Sequence, residues 1–554
     1  MNTYENPLAE GIIREGLIKL DSLSFDTKFW AKDASLWKQD KESQNFIVKF
    51  LGWQKVYNWT LEQVEEITAF AQDVKEHFKH CVIMGMGGSS LAPEVFRTVF
   101  GKQDGWPELI VLDTTHPDWI DSVRTRINPV ETLFIFASKS GGTVEPSSQF
   151  AYFMDEVKKA GVQEPGQNFA AITDAGTGLE ALAKQHHFRH TFINPSDIGG
   201  RFSALSFFGI VPAAIMGVDV KKLLTIVCEQ AVTFAPDAPS KENAALKLGA
   251  FMGAATVNHG RDKLTLLLPK ELATFGLWAE QLVAESTGKE GKGIVPVAGE
   301  TIHTNFDYRE DRFFVHLSTG SEDDERISKF TEELAEHEAP LLTIEVNSSY
   351  ELGALFLLWE IATAAAGAIL GINPFDQPNV QEAKTMTKEV LTKLAKGNLP
   401  DAVTAPILVS KDIADEVKLD TLAQDVYSLL ESNDYVALLA YVYPSEETQR
   451  ALLELRDKIR TRTKRAVLFG YGPRYLHSTG QLYKGDGNNG VFIIFSADDE
   501  HDIPIPGQKY TFGQLCNAQA LGDFQALQAK GRRVIKLHLT QPLVQSIRKI
   551  SDLF

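Results

Sequence analysis

The chain reads as an α/β protein: two doubly wound parallel-sheet domains followed by a C-terminal α/β domain. Three observations predict this. Short apolar runs alternate with helical patterns along most of the 554 residues. The runs feed into Gly- or Ser-rich loops that open the next helix. The alternation restarts in a second and then a third series.

The elements follow in order. Residues 1–75 form an N-terminal helical segment, since WAKDASLWKQD and LEQVEEITAFAQDVKEHF carry apolar residues at helical spacing. A first domain, 76–235, has strand candidates at Cys81–Met86, Leu109–Asp113, Leu133–Ala137 and Phe169–Thr173. A second, 236–400, has strands at Lys263–Leu268, Arg312–Leu317 and Leu341–Val346, with helices at Lys241–Val257, Phe275–Glu285 and Ile327–His337. The charged stretch Lys396–Ala405 reads as a connection to the third domain, 401–554, with strands at Ala466–Phe469, Val491–Phe495 and Val534–Leu539. Leu352–Leu370 is apolar enough to resemble a spanning helix, but Glu360 sits mid-run and no other segment is similar. It reads as a helix buried inside the second domain.

Composition narrows the function. The formal charge is −18, from 55 basic and 73 acidic residues. Such a surface repels nucleic acid and anionic membranes, so neither is an expected partner. An anionic small molecule needs only a local pocket of cationic groups and backbone N–H. Cys81, Cys228 and Cys516 show no CxxC spacing, so neither a disulfide framework nor a metal site is expected. The N-terminus lacks the basic and apolar regions of a signal peptide, and a cytoplasmic location is the natural reading.

Four loops carry candidate chemistry. Gly85–Ser90 (GMGGSS) follows a strand and opens a helix. Gly87 and Gly88 allow close approach of backbone to a ligand, and Ser89 and Ser90 offer hydroxyls beside the orphan N–H groups of the helix start. A tight turn with an N-cap is the plain alternative. Ser138–Thr143 (SKSGGT) gathers Ser138, Lys139, Ser140 and Thr143 around two glycines, a better anion cradle; it matches neither the GxxxxGK[ST] nor the GxGxxG pattern. Asp197–Ser206 puts Arg201 on a bend, able to enter a cleft or to remain a surface arginine. Asn373–Lys384 (NPFDQPNVQEAK) holds Gln377 in a loop fixed by prolines and Lys384 about one turn into a helix. Between these, WAEQLVAESTGK places Gln281 and Glu285 four residues apart, on one helix face. Gly288 suits the stop of that helix.

SKSGGT, GGRFS, GLWAEQLVAESTGK and INPFDQPNVQEAK, in this order, resemble the phosphoglucose isomerase family, whose members pair two sugar-isomerase (SIS) domains. The resemblance covers about residues 40–395. GYGPRYLHSTGQLYKG and DIPIPGQKYTFGQL resemble the isomerase half of bacterial transaldolase–isomerase fusions. The resemblance implies reversible isomerisation of glucose 6-phosphate to fructose 6-phosphate through a cis-enediolate, without metal or organic cofactor. It gives Glu285 as base, Arg201 as stabiliser of the enediolate, and Lys384 as an aid to ring opening. Gly88 and Ser89 would line the sugar, and Gln281 and Gln377 would contact the sugar phosphate. Ser138, Lys139, Ser140 and Thr143 would hold the phosphate.

One departure is chemically serious. The family's ring-opening histidine lies in a QHxFxQL stretch before the PFDQ loop, where this chain has Gly353. The later His477–Leu482 segment matches H-S-x-x-Q-L, which makes His477 the candidate and His303 the reserve. Three readings stay open: a dedicated phosphoglucose isomerase, an enzyme that also takes mannose 6-phosphate, and a non-catalytic sugar-phosphate sensor. Family members share active sites between two subunits, so the chain acts as a homodimer or, if its third domain replaces the partner, as a monomer.

Overall fold

The computed structural model describes all residues except 237, 304–305, 321–324, 395–399, 412, 414–416 and 500. The connection read at Lys396–Ala405 therefore lies partly outside the described residues. Three five-stranded sheets organise the rest. The first runs Glu108–Leu112, His80–Met84, Thr132–Ala137, Phe169–Asp174 and His190–Asn194, all parallel. The second runs Val295–Val297, Lys263–Leu267, Arg312–Ser318 and Leu341–Glu345, parallel, with Thr3–Glu5 added antiparallel at its edge. The third runs Val467–Tyr471, Tyr435–Tyr441, Gly490–Ala497 and Arg533–Leu539, parallel, with Ile407–Val409 antiparallel at its edge.

All three sheets share one winding. The second parallel strand lies outside the first; the chain then reverses and adds the third and fourth on the other side. The crevice beyond the strand ends, where the order reverses, is where such sheets bind ligands. Helices on both faces bury the central strands throughout, so their runs are continuously apolar rather than alternating.

Two contacts cross the domain limits read from sequence. Thr3–Glu5 completes the second sheet by pairing with Leu341–Glu345, so the N-terminal segment is built into the second domain. The helix Val380–Leu394 lies against the helix Phe512–Ala529. Val390, Leu391 and Leu394 share a core with Leu515 and Leu527, and Lys530 Nζ reaches Glu382 Oε1 at 2.8 Å. The helix that bears Lys384 therefore packs with the third domain. Leu352–Leu370 is long and apolar enough to cross a membrane, yet is buried within the protein along its length.

Candidate active site

Aromatic rings anchor the two irregular loops of the site. Phe202 stacks on Trp53 at 4.8 Å and meets Phe375 at 5.4 Å, while Trp37 packs edge-on to Phe375 at 5.0 Å. This aims Arg201, 3% exposed, at the end of the helix Phe275–Thr287. Its Nε donates to Ser286 Oγ (2.7 Å), and its Nη2 to the carbonyls of Pro374 (2.6 Å) and Asp376 (2.9 Å). Nη1 donates to Gln377 Oε1 (3.2 Å) and lies 3.4 Å from Glu285 Oε1. One guanidinium thus joins three of the sequence motifs, which requires its fork of donors.

Glu285 is 5% exposed, and burial pushes its carboxyl above the usual range, opposed by Arg201 and the Gln281 hydrogen bond. Gln281, one turn earlier on the same face, donates through Nε2 to Glu285 Oε2 (3.1 Å) and to the backbone carbonyl of His477 (2.8 Å). Its buried Oε1 has no hydrogen-bond partner. Lys289, from the same motif, is buried; Nζ donates to Asp376 Oδ1 at 2.7 Å, and burial lowers the ammonium to about 8. Gly288 ends the helix without a left-handed turn. A Cβ there would fall 2.3 Å from Leu482 Cα, so the glycine makes room for the third domain.

Gly88 is spent in a similar way: a Cβ would sit 1.9 Å from the Gly200 carbonyl, the closest approach of GMGGSS to GGRF. It packs against the other motif, while Ser89 stays half-buried. Gly353, the position read from sequence against the family's histidine, lies against Val227 and Leu223, and leaves no room for an imidazole.

The third domain delivers His477. Its Nε2 lies 2.9 Å from Glu145 Oε1, which also accepts from Gln519 Nε2 at 2.8 Å. Burial opposes ionisation of Glu145, but the charge and hydrogen bond of His477 outweigh it and hold the carboxyl below its usual range. This pair lines a cavity of about 750 Å³, together with Ser140, Thr143, Lys384 and Gln519. Glu285 does not line that cavity; Gln281 links it to the His477 backbone. His303 is elsewhere, paired with Asp457 at 2.7 Å.

The SKSGGT loop opens the helix Val144–Lys159, whose first N–H groups and positive end suit an anion. Ser140 is exposed, Thr143 half-buried, and Ser138 Oγ accepts from the Gly141 N–H at 3.1 Å. Lys139 does not face the cavity. Its Nζ donates to the carbonyls of Ser196 and Ile198, both at 2.7 Å, and pairs with Asp174 at 3.0 Å. It braces the neighbouring loop, a correction to its reading as a phosphate ligand. Lys384 and Gln377 are exposed.

Glu145, Gln519, Ser286, Lys289 and Asp376 were not singled out by sequence reasoning. Glu145 adjoins SKSGGT and Lys289 ends ESTGK, so proximity to a motif was the available signal. Gln519, 374 residues from Glu145, offered none.

The phosphoglucose isomerase family model matches residues 58–305, the span that holds Arg201, Gln281 and Glu285. Over this span, a little under half of its length, the chain is similar to the phosphoglucose isomerase family. A Methanococcus maripaludis protein named "Probable glucose-6-phosphate isomerase" is 28% identical over 70% of this chain and 94% of its own length. The glucose-6-phosphate isomerase of Clostridium tetani is 26% identical, covering 64% of this chain and 88% of its own. Among solved structures, a glucose-6-phosphate isomerase from Chlamydia trachomatis covers 70% of this chain and 86% of its own, with TM-score 0.54 and 19% identity. A hypothetical protein from Thermus thermophilus covers 70% of this chain and 99% of its own at TM-score 0.57 and 22% identity. These two likenesses show the fold alone, of paired doubly wound parallel sheets.

Proposed function

We infer that the phosphoglucose isomerase reaction is carried out by groups of this one chain: reversible conversion of glucose 6-phosphate to fructose 6-phosphate. The observation that carries this is the buried Glu285 carboxylate, 3.4 Å from a guanidinium and hydrogen-bonded by Gln281. Aldose–ketose interconversion needs one base to move a proton between C1 and C2 of a cis-enediolate. A positioned carboxylate contributes about 10²–10⁴-fold to such a step. Glu285 takes the proton from one carbon and returns it to the other. Arg201, fixed by four hydrogen-bond acceptors, offers positive charge to the developing oxyanion without reorganisation. The unpartnered Gln281 Oε1 accepts a sugar hydroxyl.

Ser138, Ser140, Thr143 and the adjacent helix start hold the phosphate, which makes no bond change and anchors the reacting carbons. His477 protonates the ring oxygen, oriented by Glu145 and Gln519, while Lys384 approaches the same cavity from the helix Val380–Leu394. Gly88 and Ser89 shape the sugar end, and Gln377 closes it through Arg201. Because His477 comes from the chain's own third domain, the site is complete in one subunit, which favours a monomer. The C-terminal domain is of the kind found as the isomerase half of transaldolase–isomerase fusions, and the cytoplasm suits a hexose phosphate substrate.

Reaction in deuterated water tests this reading. The chain should exchange the C2 proton of glucose 6-phosphate with solvent, and Glu285→Gln should still bind fructose 6-phosphate by calorimetry without exchanging it. Undiminished exchange in that variant would remove Glu285 from the role of base.

A further inference from the structure

The loop Asp113–His116, leaving the first sheet, meets the third domain at three points. Asp113 takes both Nε and Nη2 of Arg474, at 2.7 and 2.8 Å, and Thr115 Oγ1 donates to Gln519 Oε1 at 2.6 Å. The third point is chemically unfinished. His116 is 5% exposed, and its Nδ1 has no hydrogen-bond partner. That nitrogen lies 3.9 Å from Asp118 Oδ2, while Nε2 lies 3.3 Å from Asp499 Oδ1. One donor atom from each of His116, Asp118 and Asp499 falls within 4.8 Å of the others.

The cluster is crowded with carboxylates, Asp498 and Asp502 standing near Asp499 and Asp118. Asp502 is committed to capping the helix Phe512–Ala529, accepting from the Gly513 N–H at 2.7 Å and from Thr511 Oγ1. A cavity of about 210 Å³, lined by Asp498, Asp499, Asp502, Gln514 and Asn517, adjoins the cluster and gives small ions access.

We propose that His116, Asp118 and Asp499 bind a divalent transition-metal ion of the Mn²⁺ or Zn²⁺ kind, which ties the first domain to the third. One neutral imidazole and two carboxylates form a mixed N/O donor set that such ions prefer and that Ca²⁺ and Mg²⁺ do not. Metal–ligand bonds of about 2.1 Å imply ligand–ligand edges of about 3.4 Å. An ion takes only one ring nitrogen, so just one of the 3.3 and 3.9 Å contacts is an edge of the site; with one donor atom from each residue within 4.8 Å of the others, small side-chain movements close the set. The ion supplies positive charge beside the two carboxylates. Its role is to tether domains: it holds the third domain, and hence His477, against the first, and it takes no part in the proton transfers.

The test uses the full chain, stripped with a chelator and dialysed. Titration with Mn²⁺ under electron paramagnetic resonance should show one ion retained per chain. Thermal unfolding should shift upward with Mn²⁺ or Zn²⁺, and less with Mg²⁺ or Ca²⁺ at equal concentration. Asp499→Asn and His116→Gln should each abolish retention and the shift. Misfolding is controlled for by near-UV circular dichroism, in which each variant in chelator should match the chelated wild type. No stoichiometric retention by the wild type, or retention unchanged in Asp499→Asn, would overturn the proposal.

Discussion

After its third parallel strand, Thr132–Ala137, the first sheet releases Ser138–Thr143; after the equivalent strand, Gly490–Ala497, the third sheet releases Asp498, Asp499 and Asp502. The two loops hold the same position in the same winding, each ahead of a long helix. The first is rich in hydroxyls and backbone donors and suits an anion. The second is acidic and repels one. Winding therefore sets where a ligand could sit, and loop chemistry decides which charge is accepted there. The third domain serves the site differently, through His477 and Gln519 placed against Glu145.

The sharpest break of this comparison is Glu285, the proposed base, which belongs to neither loop. Glu285→Gln should lower kcat by about 10²–10⁴-fold with KM little changed. Exchanging the loop chemistry comes next. Ser140→Asp with Thr143→Asp should raise KM for glucose 6-phosphate by about 100-fold, since each like charge facing phosphate costs on the order of 1 kcal/mol or more. The reciprocal Asp498→Ser should leave KM unchanged; an equal effect from both would end the distinction between the loops. Third, His477→Ala should slow turnover of the closed-ring sugar more than that of an open-chain substrate, with Glu145→Gln showing the same pattern more weakly. Stopped-flow comparison of the two substrates decides it. Fourth, the acid limb of kcat/KM should lie above the ordinary glutamate range, because burial raises Glu285 and only the ionised form accepts a proton; activity falls as pH drops through that raised value. The smallest effect belongs to Lys139→Met, which should cost about 1 kcal/mol of stability in urea denaturation through its lost hydrogen bonds. Its KM should move less than that of the Ser140/Thr143 double variant.

The same contrast explains what could be read from the sequence. Runs such as Leu133–Ala137 and Val491–Phe495 are buried on both faces and announce themselves as uninterrupted apolar stretches. Tyr435–Tyr441, central in the third sheet, escaped because YVALLAY carries residues equally at home in a buried helix. Thr3–Glu5, Val295–Val297 and Ile407–Val409 are three residues each, too short to show a period. At the site, Gln281 and Glu285 are legible because helical spacing alone brings them together. Glu145 with Gln519, or Arg201 with Pro374, are joined only by tertiary folding, and no local pattern marks them. Lys139 shows the opposite failure: its residue type fits an anion cradle, but the carbonyls of Ser196 and Ile198 claim its ammonium.

The packing of the helix Val380–Leu394 on the helix Phe512–Ala529 carries one more consequence. Val390, Leu391 and Leu394 are each less than a tenth exposed, and uncovering each would forfeit about 1.5–3 kcal/mol. A gene shortened to the two family-like domains would therefore yield a sticky, poorly soluble product whose lysine-bearing segment had lost its backing. The C-terminal domain is thus a structural support for the lysine-bearing segment rather than an appendage to it.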